Sequence, residues 1–274
     1  MTVEFVRTGS WNRDAENYSQ LASTAMPILY GALSMDAVPD RTDRAKWLVM
    51  ENQKNMGSCA GQAITTCVEL SRVLAGGDLV QLSRMNAYIK AQDRDNISGD
   101  RGSTISGNVT EAMQVGYCLE SVWPYPNSYS TRVPAGYADA TKYRIVGHSP
   151  CRSYDDCVKH IGLTGGAIDI GITWSNSLDR TVSNNRGLIS SWPGGSGGGH
   201  SVDLVDLCVE DFDGSPLPGD EPWLKLANSW SASWGRNGYC LLSPSAVESM
   251  INERGNVVEG IFGCASPEIT FQGG

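Results

Sequence analysis

The spacing of apolar residues changes character near the middle of the chain, and that change limits the fold more than any single residue does. In the front half apolar positions recur at three and four residues. Cys67, Leu70, Val73 and Leu74 follow Ala63 at such intervals until Gly76-Gly77 ends the run. A second helix is predicted over residues 83–92, and a third starts near Ser106 and carries Val109, Ala112, Met113 and Val115 up to Gly116. An earlier helical stretch over residues 15–33 contains Pro27, which should break or kink it. In the rear half, residues 142–146, 167–172, 200–207, 223–228 and 238–242 read as strands punctuated by glycine, proline and aspartate, with a short helix near 153–161. Helices first and an antiparallel sheet second imply an α+β protein of two lobes, with a binding cleft between them. The expected organisation is an N-terminal extension or strap over 1–44, a body over 45–245 and a C-terminal segment over 246–274 packing on it. Within the body a helical lobe spans about 45–130 and a β-rich lobe about 131–245.

Composition removes several functions. A chain of 274 residues that is 41% hydrophobic can bury a substantial core, and its formal charge of -9 repels phosphate backbones and anionic lipid heads. No nucleic acid or membrane partner is therefore expected. The start of the chain has no apolar core after a basic segment, and nowhere do eighteen apolar residues run together, so a cytoplasmic protein is the expectation. Packaging in a virion or other assembly is compatible with the same features. The eight cysteines form no CxxC pair and no cysteine-histidine cluster, which leaves no expected metal or cofactor site. Most should be small buried thiols, although Cys151 and Cys157 are close enough in sequence to be bridged.

Three segments carry chemistry. Cys59 follows Gly57-Ser58 at the predicted start of a helix, where unpaired backbone N–H groups and the helix dipole favour a thiolate. A cysteine taken alone is more often a buried structural thiol, but the small residues of Gly57-Ser58-Cys59-Ala60-Gly61 leave the helix start open. His200, one of three histidines, follows a glycine-rich loop and opens a strand, which places its ring at a lobe edge. Alone it would be an ordinary surface group; with a thiolate in the same chain it becomes the preferred acid-base group. In Asn228-Ser229-Trp230 an amide oxygen can accept an imidazole N–H while the indole excludes water from that bond. Read blandly, the asparagine is a turn former and the tryptophan a packing aromatic.

Taken together these segments resemble the papain-like cysteine peptidase family. The resemblance rests on Gln53 through Cys59, on His200-Ser201-Val202, and on Asn228-Ser229-Trp230 followed by Trp234-Gly235-Arg236-Asn237-Gly238-Tyr239. Asp100-Arg101-Gly102-Ser103, Gly116-Tyr117-Cys118-Leu119-Glu120 and Trp123-Pro124-Tyr125 extend it, so that it covers about residues 45–245. It implies a two-lobed papain-like fold with the site in the interlobe cleft, and a thiol peptidase acting on protein or peptide substrates. Cys59 would be the nucleophile, His200 the acid and base, Asn228 the group orienting the histidine, and Gln53 a donor to the oxyanion. For the substrate, Gly102 and Ser103 would offer backbone hydrogen bonds, and Gly171 and Ser201 would line the pocket for the second side chain before the cleaved bond. Trp230 would join them in binding the substrate. The chain departs from the family pattern at Ala60, where tryptophan is usual, at Met56 for cysteine, at Ser231 for glycine, and at Asp203 and Asp206 in a strand that is normally more apolar. The segment before residue 45 is expected either to cover the cleft or to strap the body. Two other readings share this fold: a catalytically silent binding or structural module, and an amidase or isopeptidase using the same groups.

Overall fold

Side-chain caps and left-handed glycines delimit the helices of the front half. The computed structural model describes residues 11–265, so the first ten residues of the expected extension and the last nine of the C-terminal segment lie outside it. Helix α1 (Tyr18–Thr24) starts where the Asn17 side chain accepts the Gln20 N–H. The single helix expected over 15–33 stops at Thr24: Ala25 is extended, Pro27 cannot supply an N–H, and the chain goes on in short 3-10 turns. Helix α2 (Cys59–Leu74) is buried along nearly its whole length and ends before Gly76, which has φ +85°. Helix α3 (Arg84–Asp95) is capped by Ser83 and closed by Asn96 in the left-handed region. Thr104 caps α4 (Ile105–Gln114), whose C-terminal turn leads into Gly116 at φ +85°.

The rear half builds one sheet. Strand β1 (Arg144–Pro150) leads to α5 (Tyr154–Lys159), then β2 (Ala167–Ser175), α6 (Asn176–Asn184), β3 (Leu188–Ile189), β4 (Gly197–Cys208), β5 (Trp223–Ala227) and β6 (Tyr239–Leu242). Helix α7 (Pro244–Asn252) and β7 (Val257–Ala265) complete it. The strand order is β1-β7-β2-β4-β5-β6-β3, antiparallel except for β3 beside β6. Neither α6, α7 nor β7 was legible as such in the sequence, and β7 is an inner strand between β1 and β2. Glycine interrupts its pattern because a Cβ at Gly260 would stand 2.5 Å from His160 Nδ1.

Alternation along the strands gives the sheet two different faces. Ile168, Ile170, Ile172 and Trp174 of β2 enter one apolar core with Val202 and Leu204 of β4. The opposite parity carries Asp169 and Gly171, paired across to Asp203 and Ser201. Cys67 of α2 reaches this polar face, its thiol donating to Asp203 Oδ1 at 3.2 Å. Asp206 lies beyond a bulge in β4 and accepts the Arg44 N–H at 2.6 Å and the Thr42 hydroxyl at 2.7 Å, so it anchors the end of the N-terminal segment. Both aspartates that interrupt the apolar pattern thus have structural partners. All eight cysteines are free and buried. Among the described residues no helix is long and apolar enough to cross a membrane, and no group of three or more histidine, cysteine and acidic side chains could hold a metal.

Candidate active site

Cys59 is the first residue of α2, and the loop before it is pinned from two sides. Asp100 Oδ1 accepts the Gly57 N–H at 2.7 Å, and the hydroxyls of Ser58 and Tyr125 are 2.5 Å apart. The open helix start read from the small residues is instead closed, since Cys59 has no exposed surface. Its sulfur accepts the backbone N–H of Ser201 at 3.2 Å, which brings the thiol from the helical half to the residue next to His200. His200 is likewise buried, where the sequence placed it at a lobe edge. The reason is that β4 begins three residues before it, so the ring lies within the sheet and under aromatic side chains.

Hydrogen bonding fixes the state of the imidazole. Asn228 Oδ1 lies 2.9 Å from His200 Nε2 and also accepts the Ser229 N–H at 2.8 Å. An atom that receives a backbone N–H is the amide oxygen, and an oxygen can only accept, so Nε2 carries a proton. In the neutral ring the basic nitrogen is then Nδ1. The Trp230 indole stacks on this ring with centroids 4.3 Å apart and planes at 18°. Gln53 is held from the same strand end: its N–H donates to the Ser229 carbonyl at 2.8 Å, its Oε1 accepts the Ser229 hydroxyl at 2.6 Å, and its Nε2 donates to the Met56 carbonyl at 2.9 Å. Ser231 N–H donates to the Glu51 carbonyl, completing a stitch between residues 51–53 and 229–231 that joins the two halves beside the thiol. Ser231 has φ +64°, a left-handed backbone that explains why glycine is usual there.

The expected substrate groups divide. The Ser103 carbonyl accepts the N–H of Asn12, from the N-terminal segment, at 3.0 Å. Gly102 turns inward, its N–H donating to the Tyr88 hydroxyl and its carbonyl accepting from Gln92 Nε2 at 2.9 Å, so neither group faces a ligand. Gly171 underlies an aromatic ring: a Cβ there would lie 2.7 Å from Ile105 Cδ1 and 2.8 Å from Trp11 Cε2. Ser201 uses its hydroxyl on Asp169 at 2.6 Å. Trp230 packs on His200.

The space over Gly171 is filled by the chain's own N-terminal segment, which the sequence left undecided between cover and strap. The Trp11 N–H donates to the Gly199 carbonyl at 3.1 Å, directly before His200, and its ring lies over Gly171. Its indole N–H donates to Glu16 Oε2 at 2.7 Å, and the same carboxylate accepts the Ile105 and Ser106 N–H groups at 2.8 Å each, at the start of α4. Trp11, Glu16 and Trp174 were not singled out from the sequence, because their partners lie far away in the chain.

Burial leaves an electrostatic signature beneath this site. Asp169 is fully buried, with Oδ2 lacking any hydrogen bond, and desolvation pushes its carboxyl up to about 8 against the opposing Ser201 hydrogen bond; the charges of Glu16 and Glu259 add to the rise. Asp203 rises well above the carboxylate range through burial and then through Asp169. A carboxyl raised on folding keeps its proton better in the native state, so its stabilising contribution is complete below the unfolded value and is lost as pH climbs toward the folded one. From Asp169 alone stability should therefore fall between about pH 4 and pH 8, by no more than about 1.4 kcal/mol per unit. Thermal unfolding of Asp169→Asn should show a shallower decline over that window than the parent; parallel curves would mean that this group does not titrate there.

Comparison with known proteins places the chain in a family. A family model described as papain family cysteine protease matches residues 36–257, beginning after most of the N-terminal segment. An uncharacterised peptidase C1-like protein of Acanthamoeba polyphaga mimivirus is 25% identical over 202 residues, which cover 69% of this chain and 62% of that protein. A probable cysteine protease of Arabidopsis thaliana is 25% identical over 213 residues, covering 76% of this chain and 54% of its own length. The chain thus spans less than two thirds of either relative. Among solved structures, xylellain, a cysteine protease from Xylella fastidiosa, superposes with a TM-score of 0.67 at 17% identity over 94% of this chain and 97% of that one. The proform of Amb a 11, a ragweed pollen cysteine protease, gives 0.69 at 18% identity over 97% and 78%.

Proposed function

The chain belongs to the papain family of cysteine proteases, and from that premise we propose that it is an endopeptidase with Cys59 as nucleophile, His200 as acid and base, and Asn228 as the orienting amide. The observation that carries this reading is the junction of Ser201 N–H on Cys59 Sγ at 3.2 Å with His200 Nε2 on Asn228 Oδ1 at 2.9 Å. His200 Nδ1 takes the proton of the Cys59 thiol, and the thiolate attacks the scissile carbonyl carbon, forming a C–S bond as the carbonyl π electrons move onto an oxyanion that the Cys59 N–H and the Gln53 amide receive; each such donor is typically worth about 3 kcal/mol. Collapse breaks the C–N bond as His200 Nδ1 gives its proton to the leaving nitrogen. Water then loses a proton to His200, attacks the thioester and frees Cys59. Asn228 acts through ring orientation and tautomer.

An extended substrate would use the Ser103 carbonyl and send its second side chain before the cleaved bond into the pocket over Gly171, which is wide enough for the indole it holds now. The N-terminal segment therefore acts as an intramolecular cover, and the covered chain is the latent form.

The test is thiol labelling of the full chain carrying Trp11→Ala. Iodoacetamide should modify Cys59 well ahead of the other seven buried cysteines, and His200→Ala in that background should slow Cys59 to their rate. Peptide mapping by mass spectrometry reads the order; uniform slow labelling of all eight would favour a silent binding module.

A further inference from the structure

Two indoles grip the imidazole of His200. Trp230 lies flat against one face, while Trp174 of β2 stands edge-on, with centroids 5.1 Å apart and planes at 86°. Trp174 also meets Trp230 at 5.0 Å and 78°, and Trp234 at 5.7 Å and 60°. The sheet dictates this placement. Trp174 pairs with Gly198 and Ile172 pairs with His200, so Trp174 and His200 emerge on the same face of neighbouring strands. Glycine at 198, directly opposite Trp174, has no side chain to stand beside the indole.

Resting on the peptidase reading, we propose that Trp174 is a positioning residue for the reaction, the second jaw of an aromatic clamp that holds His200 in its working orientation. The Asn228 bond fixes one edge of the ring. Stacking on Trp230 blocks tilt out of the plane. A perpendicular ring blocks the remaining sweep within the plane, and together the two indoles keep water from the Nε2–H···Oδ1 bond. Trp174 Nε1 makes no hydrogen bond, so the aromatic surface carries the role and phenylalanine should largely replace it. Trp174 acts only through His200.

The experiment compares the full-length parent, Trp174→Ala and Trp174→Phe by proton NMR of the imidazole N–H and by turnover of a short fluorogenic peptide, each with and without Trp11→Ala. The parent should show a slowly exchanging His200 Nε2–H resonance, identified by its loss in His200→Ala. Trp174→Ala should broaden or lose it, with kcat about tenfold lower and KM within about twofold. Trp174→Phe should restore the resonance and bring kcat to within about threefold of the parent. An unchanged resonance in Trp174→Ala overturns the clamp, as does Trp174→Phe behaving like the alanine variant. A parent chain that shows the resonance but cleaves no peptide, covered or uncovered, overturns the peptidase reading, and the NMR comparison still decides the clamp.

Discussion

Alanine at position 59 is expected to lower peptide hydrolysis by at least ~10⁴-fold in the parent and in the Trp11→Ala chain alike, because the remaining groups supply only positioning and oxyanion donors. The effect should sit in kcat. In the proposed binding mode, through the Ser103 carbonyl and the space over Gly171, the substrate does not use the sulfur, so KM should stay within a few-fold. Removing His200 as well should add little, since residues that act as one unit do not contribute additively. Because Cys59 is wholly buried and its sulfur receives the Ser201 N–H, the substitution also leaves a small gap and a lost acceptor, and a fall in stability of about 1 kcal/mol should accompany it. Turnover by the purified variant at a tenth of the parent rate or more would remove Cys59 from the chemistry.

How far the sequence discloses such a site depends on where the partners of each residue lie. Helix α2 is legible because its apolar residues repeat over sixteen positions and Gly76 stops it, all within one segment. Cys59, His200 and Asn228 are legible because each sits in a short motif whose order can be compared with a family. Their burial is not, since Trp174 meets His200 only through the pairing of β2 with β4, and the residues around Trp11 reach Gly199 and Ser103 from far along the chain. The choice between Gly102 and Ser103 is a matter of one residue of register, decided by the Tyr88 hydroxyl and Gln92 amide that capture Gly102. Strand β7 is hidden by Gly260 and Gly263, the first of which makes room for a histidine ring and the second of which has φ +68°. Asp203 reads as an interruption of an apolar strand, and only the pairing of β2 with β4 reveals that it shares the polar face beneath Ser201 with Asp169.

The same long-range contacts set the expectation for the cover. Truncating Trp11 to alanine should raise kcat/KM of the full chain by about 10²-fold while lowering its stability by about 3 kcal/mol, the usual cost of removing a buried indole. The two numbers are linked. If the ring is what holds the segment in the cleft, its loss lowers the free energy of local opening by the same amount, and about 1.4 kcal/mol corresponds to a tenfold rise in the open population. Only the tip should open, because Gln20 stays bonded to Thr110 at 2.7 Å, Tyr30 to His160 at 2.9 Å, and Thr42 to Asp206. Glu16→Gln offers a milder version: it keeps an acceptor for α4 but loses the charge that the Ile105 and Ser106 N–H groups and the Trp11 indole now share. Its activation should be smaller than that of Trp11→Ala and in the same direction. Steady-state kinetics beside thermal unfolding checks both variants, with intact mass measured to show that the segment is still attached. A loss of stability with no gain in activity would make residues 11–44 a permanent strap, with substrate reaching Cys59 past an indole that never leaves.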